Sequence, residues 1–245
     1  MPFSSAASLS DEIFGFISAH LGGRTAVVAV SGGIDSAVVL MIASRLGRER
    51  VKALFMPDCI TPQADYRDIA LLSDRSGIPI ELVNIDPIVK QISEITRQKD
   101  PKIIGNMKSR VRMTVLYTLA NSMNGMVLGT TNRSEYLTGY FTKYGDGGCD
   151  IEPIMHLYKG EIRMIAQYLG VPDTIVKKRP SAGLWEGQAD EDELGLSYDE
   201  LDSALKNVID SGKPAVSPGE KKAMDLYRST DHKRSMPPAI SRRVA

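Results

Sequence analysis

The stretch AVVAVSGGIDSAVVLMIAS, residues 26–44, runs an apolar strand into a tight polar turn and then into an apolar helix. A strand, a glycine-bearing turn and a helix start in direct succession aim several backbone N–H groups, and the helix's positive end, at one point. Phosphate is the natural occupant. Gly32 and Gly33 let backbone come close without Cβ atoms in the way, while Ser31 and Ser36 add hydroxyl groups. Such turns lie at the C-terminal edge of a parallel sheet, where open α/β folds bind ligands. Neither GxxxxGK[ST] nor GxGxxG occurs here, which leaves aside the lysine-bearing phosphate loop and the dinucleotide fingerprint. What stands instead is SGGxDS, with a carboxylate, Asp35, inside an anion site. A cation between carboxylate and phosphate removes the repulsion, and Mg²⁺ binds in that way.

The rest of the chain repeats the strand–helix pattern. TAVVAV (25–30), VKALFM (51–56), IPIELVNI (78–85) and GMVLG (125–129) read as short buried strands. Helices are predicted over 11–21 with Ser10 as N-cap, over 36–46 ending at Gly47, over 63–77 ending at Gly77, and over 86–98. A polar break over 99–104 precedes a long helix from Asn106 to Met123. Its stripe of Val111, Val115, Leu119 and Met123 suits either a core or an interface between subunits. The pattern predicts an α/β fold: a doubly wound parallel sheet with flanking helices.

Beyond Thr130 the texture changes. Residues 139–153, rich in Gly and Asp, read as a functional loop, and a helix is predicted over 158–169. Residues 179–195 read as a long loop, ordered or acting as a mobile lid, followed by amphipathic helices over 198–210 and 219–230. One domain over 1–245 is expected, with a helical extension from about 198.

Thirty basic and thirty acidic side chains balance, so no overall positive field points to nucleic acid. No apolar run approaches the roughly 20 residues that span a bilayer, and the N-terminus lacks the pattern of a secretory signal. Cys59 and Cys149 form no CxxC pair, which argues against a disulfide framework or a cysteine zinc site and suits a reducing cytoplasm.

SGGIDS at 31–36 resembles the signature of the ATP pyrophosphatases, which split ATP between the α and β phosphates and adenylate a substrate oxygen. Within that group, GTTNRSEYLTGYFTKYGDGGCDIEPI (129–154), KKRPSAGLWEGQADEDELGLSYDELD (177–202) and DHKR (231–234) resemble ammonia-dependent NAD synthetase. The resemblance implies an adenine nucleotide alpha hydrolase-like fold. It also implies amidation of the nicotinate carboxylate of deamido-NAD through an acyl-adenylate, with release of AMP and pyrophosphate.

By the same resemblance, Ala29, Val30, Ser31, Gly32, Gly33, Ile34, Asp35 and Ser36 hold ATP, joined by Thr130, Lys159 and Ser181. Asp35 and Glu135 fall at the family's Mg²⁺ positions, and with Lys159 they form the expected catalytic group. Taken alone, Glu135 reads as a solvated loop acid. Lys159 opens a helix, an unfavourable end for a cation unless an anion lies nearby. Arg110, Lys143, Asp150, His232 and Lys233 match the deamido-NAD positions. Gln63 lies in the segment that borders the adenosine, and Met56 stands where many relatives carry Arg. Residues 182–195 match a segment that orders over the substrates, although its acids would also keep an exposed loop soluble. The implied partners are deamido-NAD, ATP, free ammonia and a second copy of the chain, with neither nucleic acid nor membrane. With the first strand near residue 25, no glutaminase domain is expected ahead of it and free ammonia is the expected donor. Rival readings are another ATP pyrophosphatase, such as a tRNA-thiolating enzyme, or a non-catalytic nucleotide sensor. The first would favour catalytic cysteines and a basic module, and the second has no use for two metal-binding carboxylates.

Overall fold

A computed structural model describes residues 6–240 of the chain. Helix α1 (Ala6–Leu21) buries Ile13, Ile17 and Leu21 along one face. Ser10, expected as its cap, lies inside the helix instead, buried, with its hydroxyl accepting from Arg45 at 3.4 Å. That tertiary contact overrides the capping preference. Strand β1 (Thr25–Ala29) leads through the glycine turn into α2 (Ile34–Ala43), and a 3₁₀ turn carries the chain on to Gly47. β2 (Val51–Phe55), α3 (Gln63–Ser76), β3 (Ile80–Leu82) and α4 (Asp86–Thr96) follow.

Two elements differ from expectation in an instructive way. β3 keeps only three residues of the apolar run 78–85, because it is an edge strand paired to β2 alone. The long helix α5 (Pro101–Ser122) begins inside the supposed polar break. Asp100 accepts from the amides of Lys102 (2.8 Å) and Ile103 (3.2 Å), and Pro101 supplies a first-turn residue that needs no N–H. The Asp-Pro pair that looks like a breaker is the start of the helix.

β4 (Gly125–Leu128), α6 (Arg133–Thr138) and α7 (Lys159–Leu169) come next, with a short α8 (Asp173–Val176) and a short α9 (Asp190–Leu194). The segment expected to be a loop over 179–195 therefore ends in one helical turn. α10 (Tyr198–Leu205) runs into a wide helical turn to Asp210, and α11 (Pro218–Ser229) and α12 (Asp231–Arg234) close the described chain.

Among the described residues, the four strands are all parallel, in the order β3-β2-β1-β4. The register sets Ala29 beside Leu54 and Val28 beside Leu128. From β1 the chain winds outward to β3, then returns through α4 and α5 to the other side of β1. Strand order thus reverses between β1 and β4, and a crevice opens beyond their C-terminal ends. Alternate residues of β1 face opposite layers. Val28 packs with Ile13, Leu40 and Ile162, whereas Val27 packs with Leu54, Val111 and Leu116. The α5 stripe belongs to this second core: Val111 is buried, and Val115, Leu119 and Met123 pack partly buried against it. A third cluster, with Leu137, Tyr158, Tyr198, Leu201 and Leu205, clamps α6 and α7 from the C-terminal side. Among the described residues, no helix is long and apolar enough to cross a membrane.

Candidate active site

The glycine turn caps α2 with an extended Gly33, preceded by Gly32 at φ +79°, a conformation that strains any residue with a Cβ. Ser36 differs from expectation. It is buried, its hydroxyl donates to the Gly33 carbonyl (3.1 Å), and it accepts from the Ser31 amide (3.1 Å). It shapes the turn from below rather than reaching into the cleft.

Asp35 stands in the first turn of α2, and across the strand reversal α6 and α7 bring three groups to it. Asn132 caps α6 by accepting from the Glu135 amide (3.0 Å), and Glu135 Oε2 accepts in return from the Asn132 amide (3.1 Å). That leaves Glu135 Oε1 facing Lys159 Nζ at 3.3 Å. Lys159 Nζ also donates to Asp35 Oδ2 at 2.6 Å, and Asn132 Nδ2 donates to Asp35 Oδ1 at 2.9 Å. Asp202 on α10 fixes the two short elements together, accepting from Ser134 Oγ (2.5 Å) and from the Gly160 amide (3.1 Å).

The electrostatics follow from burial. Lys159 is only 3% exposed, at the N-terminus of α7 and 4.8 Å from the Tyr198 ring centre. Burial works to discharge it, but Asp35 and Glu135 outweigh that and hold its pKa above the usual lysine range. Burial pushes Glu135 well above the ordinary carboxylate range; Lys159 opposes the shift and Asp35 adds to it. Burial also pushes up Asp190, whose carboxylate accepts from the Tyr198 hydroxyl at 3.0 Å.

A cleft of about 570 Å³ opens above this group. Ala29, Val30, Ser31, Gly32, Gly33, Ile34, Asp35, Thr130, Glu135, Lys159 and Ser181 all line it, so of the expected ATP residues only Ser36 does not. Of the expected deamido-NAD residues, Lys233 lines it, donating to the Gly139 (2.7 Å) and Phe141 (2.8 Å) carbonyls. Arg110, Lys143 and His232 gather nearby without lining it: Arg110 donates to the Lys143 carbonyl (3.4 Å), and Lys143 Nζ donates to the His232 carbonyl. Asp150 lies apart from them, accepting from the Tyr117 hydroxyl (3.1 Å) and the Val127 amide (2.8 Å). Gln63 opens α3, but Pro62 and Asp65 form the wall there. Met56 is buried, and Arg112 on α5 donates to its carbonyl (2.9 Å) and lines the cleft, so a guanidinium still reaches this wall.

A family model for NAD synthase matches residues 12–237. The chain belongs to the NAD synthase family. An NH3-dependent NAD(+) synthetase of Thermoplasma volcanium is 50% identical, over 94% of this chain and 96% of that protein. An NMN synthetase structure from Francisella tularensis superposes with a TM-score of 0.88 at 32% identity, covering 96% of this chain and 98% of that one. An NH3-dependent NAD synthetase structure from Campylobacter jejuni, in complex with the nitrate ion, gives a TM-score of 0.84 at 28% identity, covering 97% of this chain and 100% of that one.

In this NAD synthase family member, several residues escape a motif reading. The capping box of Asn132 and Glu135 emerges only in the structure, as does their turn toward Asp35. Lys178, Tyr198 and Asp202 lie in the stretch 177–202 that carries the resemblance, but nothing in it marks them as site residues, and Lys108 belongs to none of the quoted motifs. Residues 180–190 are docked on α5: Lys108 Nζ donates to the Leu184 carbonyl (3.2 Å), and Gly105 faces Leu184 and Trp185 so closely that a Cβ would lie 2.9 Å from Leu184. Gly105→Ala is therefore expected to displace this segment and shift Trp185 emission to the red, and an unchanged spectrum would contradict the docking.

Glu152 packs where Gly129 has no Cβ, with Oε2 buried and unpaired. Burial raises its pKa from 4.5 to about 7. The folded state holds that proton more tightly than the unfolded chain. The associated stability is complete below pH about 4.5 and is lost as pH rises through about 7, at a cost of roughly 3 kcal/mol. Glu152→Gln is expected to flatten the pH profile of thermal stability and to raise the melting temperature at pH 8–9.

Proposed function

We propose that the protein makes NAD from deamido-NAD, ATP and free ammonia. A nicotinate carboxylate oxygen attacks the α-phosphorus of ATP, and pyrophosphate leaves. Ammonia then attacks the acyl carbon and loses a proton, and AMP leaves with the carboxylate oxygen. The observation that carries this reading is the convergence of Asp35 and Glu135 on one ammonium at the strand reversal, in a member of this family.

The reaction needs charge neutralisation and positioning more than a nucleophile. The glycine turn and the start of α2 present amides to the phosphates. Lys159 places a positive charge between the two carboxyl groups. The segment 180–190 covers the cleft, where exclusion of water protects the acyl-adenylate. The donor set fits Mg²⁺: Asp35 and Glu135 already share a cation, and a hard divalent ion takes one or two carboxylates and completes its shell with phosphate oxygens. Bound there, Mg²⁺ would supply neutralisation of the phosphate charge.

Arg110, Lys143, His232 and Lys233 form the proposed dinucleotide site, supported by their clustering at the cleft mouth. Asp150 joins that proposal without a contact to the others. A homodimer is proposed as well; the exposed Ile88, Ile95 and Ile103 on α4 and α5 support it, and light scattering tests it. The free Cys59 and Cys149 suit a reducing cytoplasm.

The likeness to the Francisella NMN synthetase favours one rival, a mononucleotide substrate. Mass spectrometry of reactions with ATP, Mg²⁺ and ammonium, offering either deamido-NAD or its mononucleotide, decides between them. NAD, AMP and pyrophosphate are expected from the first, and a faster reaction with the mononucleotide would overturn the dinucleotide reading.

A further inference from the structure

The glycine turn has no lysine of its own, and part of its donor capacity is already used. The Ser31 amide donates to Ser36 Oγ (3.1 Å) and the Gly33 amide to Ser31 Oγ (3.3 Å). The triphosphate of a bound nucleotide carries about four negative charges, more than a few amides and a helix terminus neutralise. A cation reaches the turn from far along the chain. Lys178, at the end of the α8 turn, lines the cleft, and its Nζ donates to the Gly32 carbonyl at 3.3 Å. The same ammonium lies 3.7 Å from where a Gly32 Cβ would project. It is held by Asp65 (2.5 Å) and Asp68 (3.6 Å) of α3, and its side chain remains one-third exposed on the cleft side.

We infer that Lys178 supplies the cation the turn lacks, contacting the terminal phosphates of bound ATP and then the leaving pyrophosphate. The inference rests on the proposed reaction and names the anion group this wall receives. Lys159 is held separately, between Asp35 and Glu135, so the two lysines divide the work. The chemistry favours a lysine that moves. Asp65 and Asp68 hold the ammonium beside Gly32 while phosphate is absent, and its four-carbon stem lets Nζ turn to a phosphate oxygen without moving backbone. Pyrophosphate departure then returns the ammonium to the two acids.

The test is calorimetric titration of inorganic pyrophosphate, with Mg²⁺, into wild type, Lys178→Met, Lys178→Arg and Asp65→Asn, beside steady-state kinetics. Lys178→Met is expected to weaken pyrophosphate binding and raise the KM for ATP about tenfold or more, leaving the KM for deamido-NAD in place. Lys178→Arg is expected to recover most of that loss. Asp65→Asn frees the ammonium and is expected to bind pyrophosphate at least as tightly as wild type. Unchanged pyrophosphate affinity in Lys178→Met overturns the inference, as does a loss in Asp65→Asn equal to that in Lys178→Met, the signature of a structural ion pair. A wild type that binds pyrophosphate but forms no NAD would defeat the proposed reaction instead.

Discussion

Asp35→Ala is expected to lower the rate of adenylation by about 10²–10³-fold while leaving the chain folded. The carboxylate sits in the first turn of α2, so its loss removes a favourable charge from a helix N-terminus, worth about 0.5–1 kcal/mol. Lys159 keeps Glu135 as a partner, and water admitted to the space the carboxylate leaves replaces the acceptor of the buried Asn132 amide. What disappears is one of the two carboxylates proposed to hold a divalent ion beside the phosphates. Melting curves of the variant should lie within a few degrees of wild type, and the stabilisation that wild type gains from ATP with Mg²⁺ should be absent. A near-normal rate at ordinary magnesium would remove Asp35 from the metal role.

Lys159→Met is expected to act on both stability and activity. The side chain is 4% exposed, and its ammonium is the cation between Asp35 (15% exposed) and Glu135 (16%). Without it, two carboxylates face each other in a largely desolvated wall, and breaking such a buried arrangement costs about 3–5 kcal/mol. The rate should fall by about 10²-fold or more, as for loss of a preorganised charge at a phosphoryl centre. A divalent ion can replace the missing cation, so Mg²⁺ alone should raise the melting temperature of Lys159→Met by more than it raises that of wild type. Equal responses to Mg²⁺ would show that the two carboxylates do not hold a metal between them.

These expectations divide between what a reading of residues reaches and what folding adds. The turn at Ser31–Ser36 and the apolar runs around it are local: period, glycine and cap residues all lie within one strand–turn–helix unit, and β1, α2 and the parallel sheet follow from them. Asp35 stood out because a carboxylate in a phosphate turn repels the anion unless a cation lies between them. Glu135 was different. Its neighbours alone suggested a solvated acid, and only the reversal of strand order between β1 and β4 carries it across to Lys159. Strand order is set by how α4 and α5 return over the sheet, a property no short window contains.

The misses have the same physical origin. β3 shrank because an edge strand has one neighbour, and α5 gained a turn because Asp100 and Pro101 act as cap and first residue. Ser36 turned inward because its hydroxyl closes the turn on itself. Lys178 was invisible because its meaning comes from Gly32, whose carbonyl it reaches across 146 positions of chain. The expected dinucleotide residues came from family resemblance, and in the folded chain Arg110, Lys143 and His232 gather beside Lys233 at the cleft, with Asp150 as the outlier.

The most direct test follows the oxygen. Deamido-NAD labelled with ¹⁸O in its nicotinate carboxylate, incubated with the protein, ATP, Mg²⁺ and ammonium, should yield NAD and AMP, with one labelled oxygen in the AMP phosphate and none in pyrophosphate. Unlabelled AMP, or label released as inorganic phosphate beside ADP, would contradict attack of that carboxylate on the α-phosphorus.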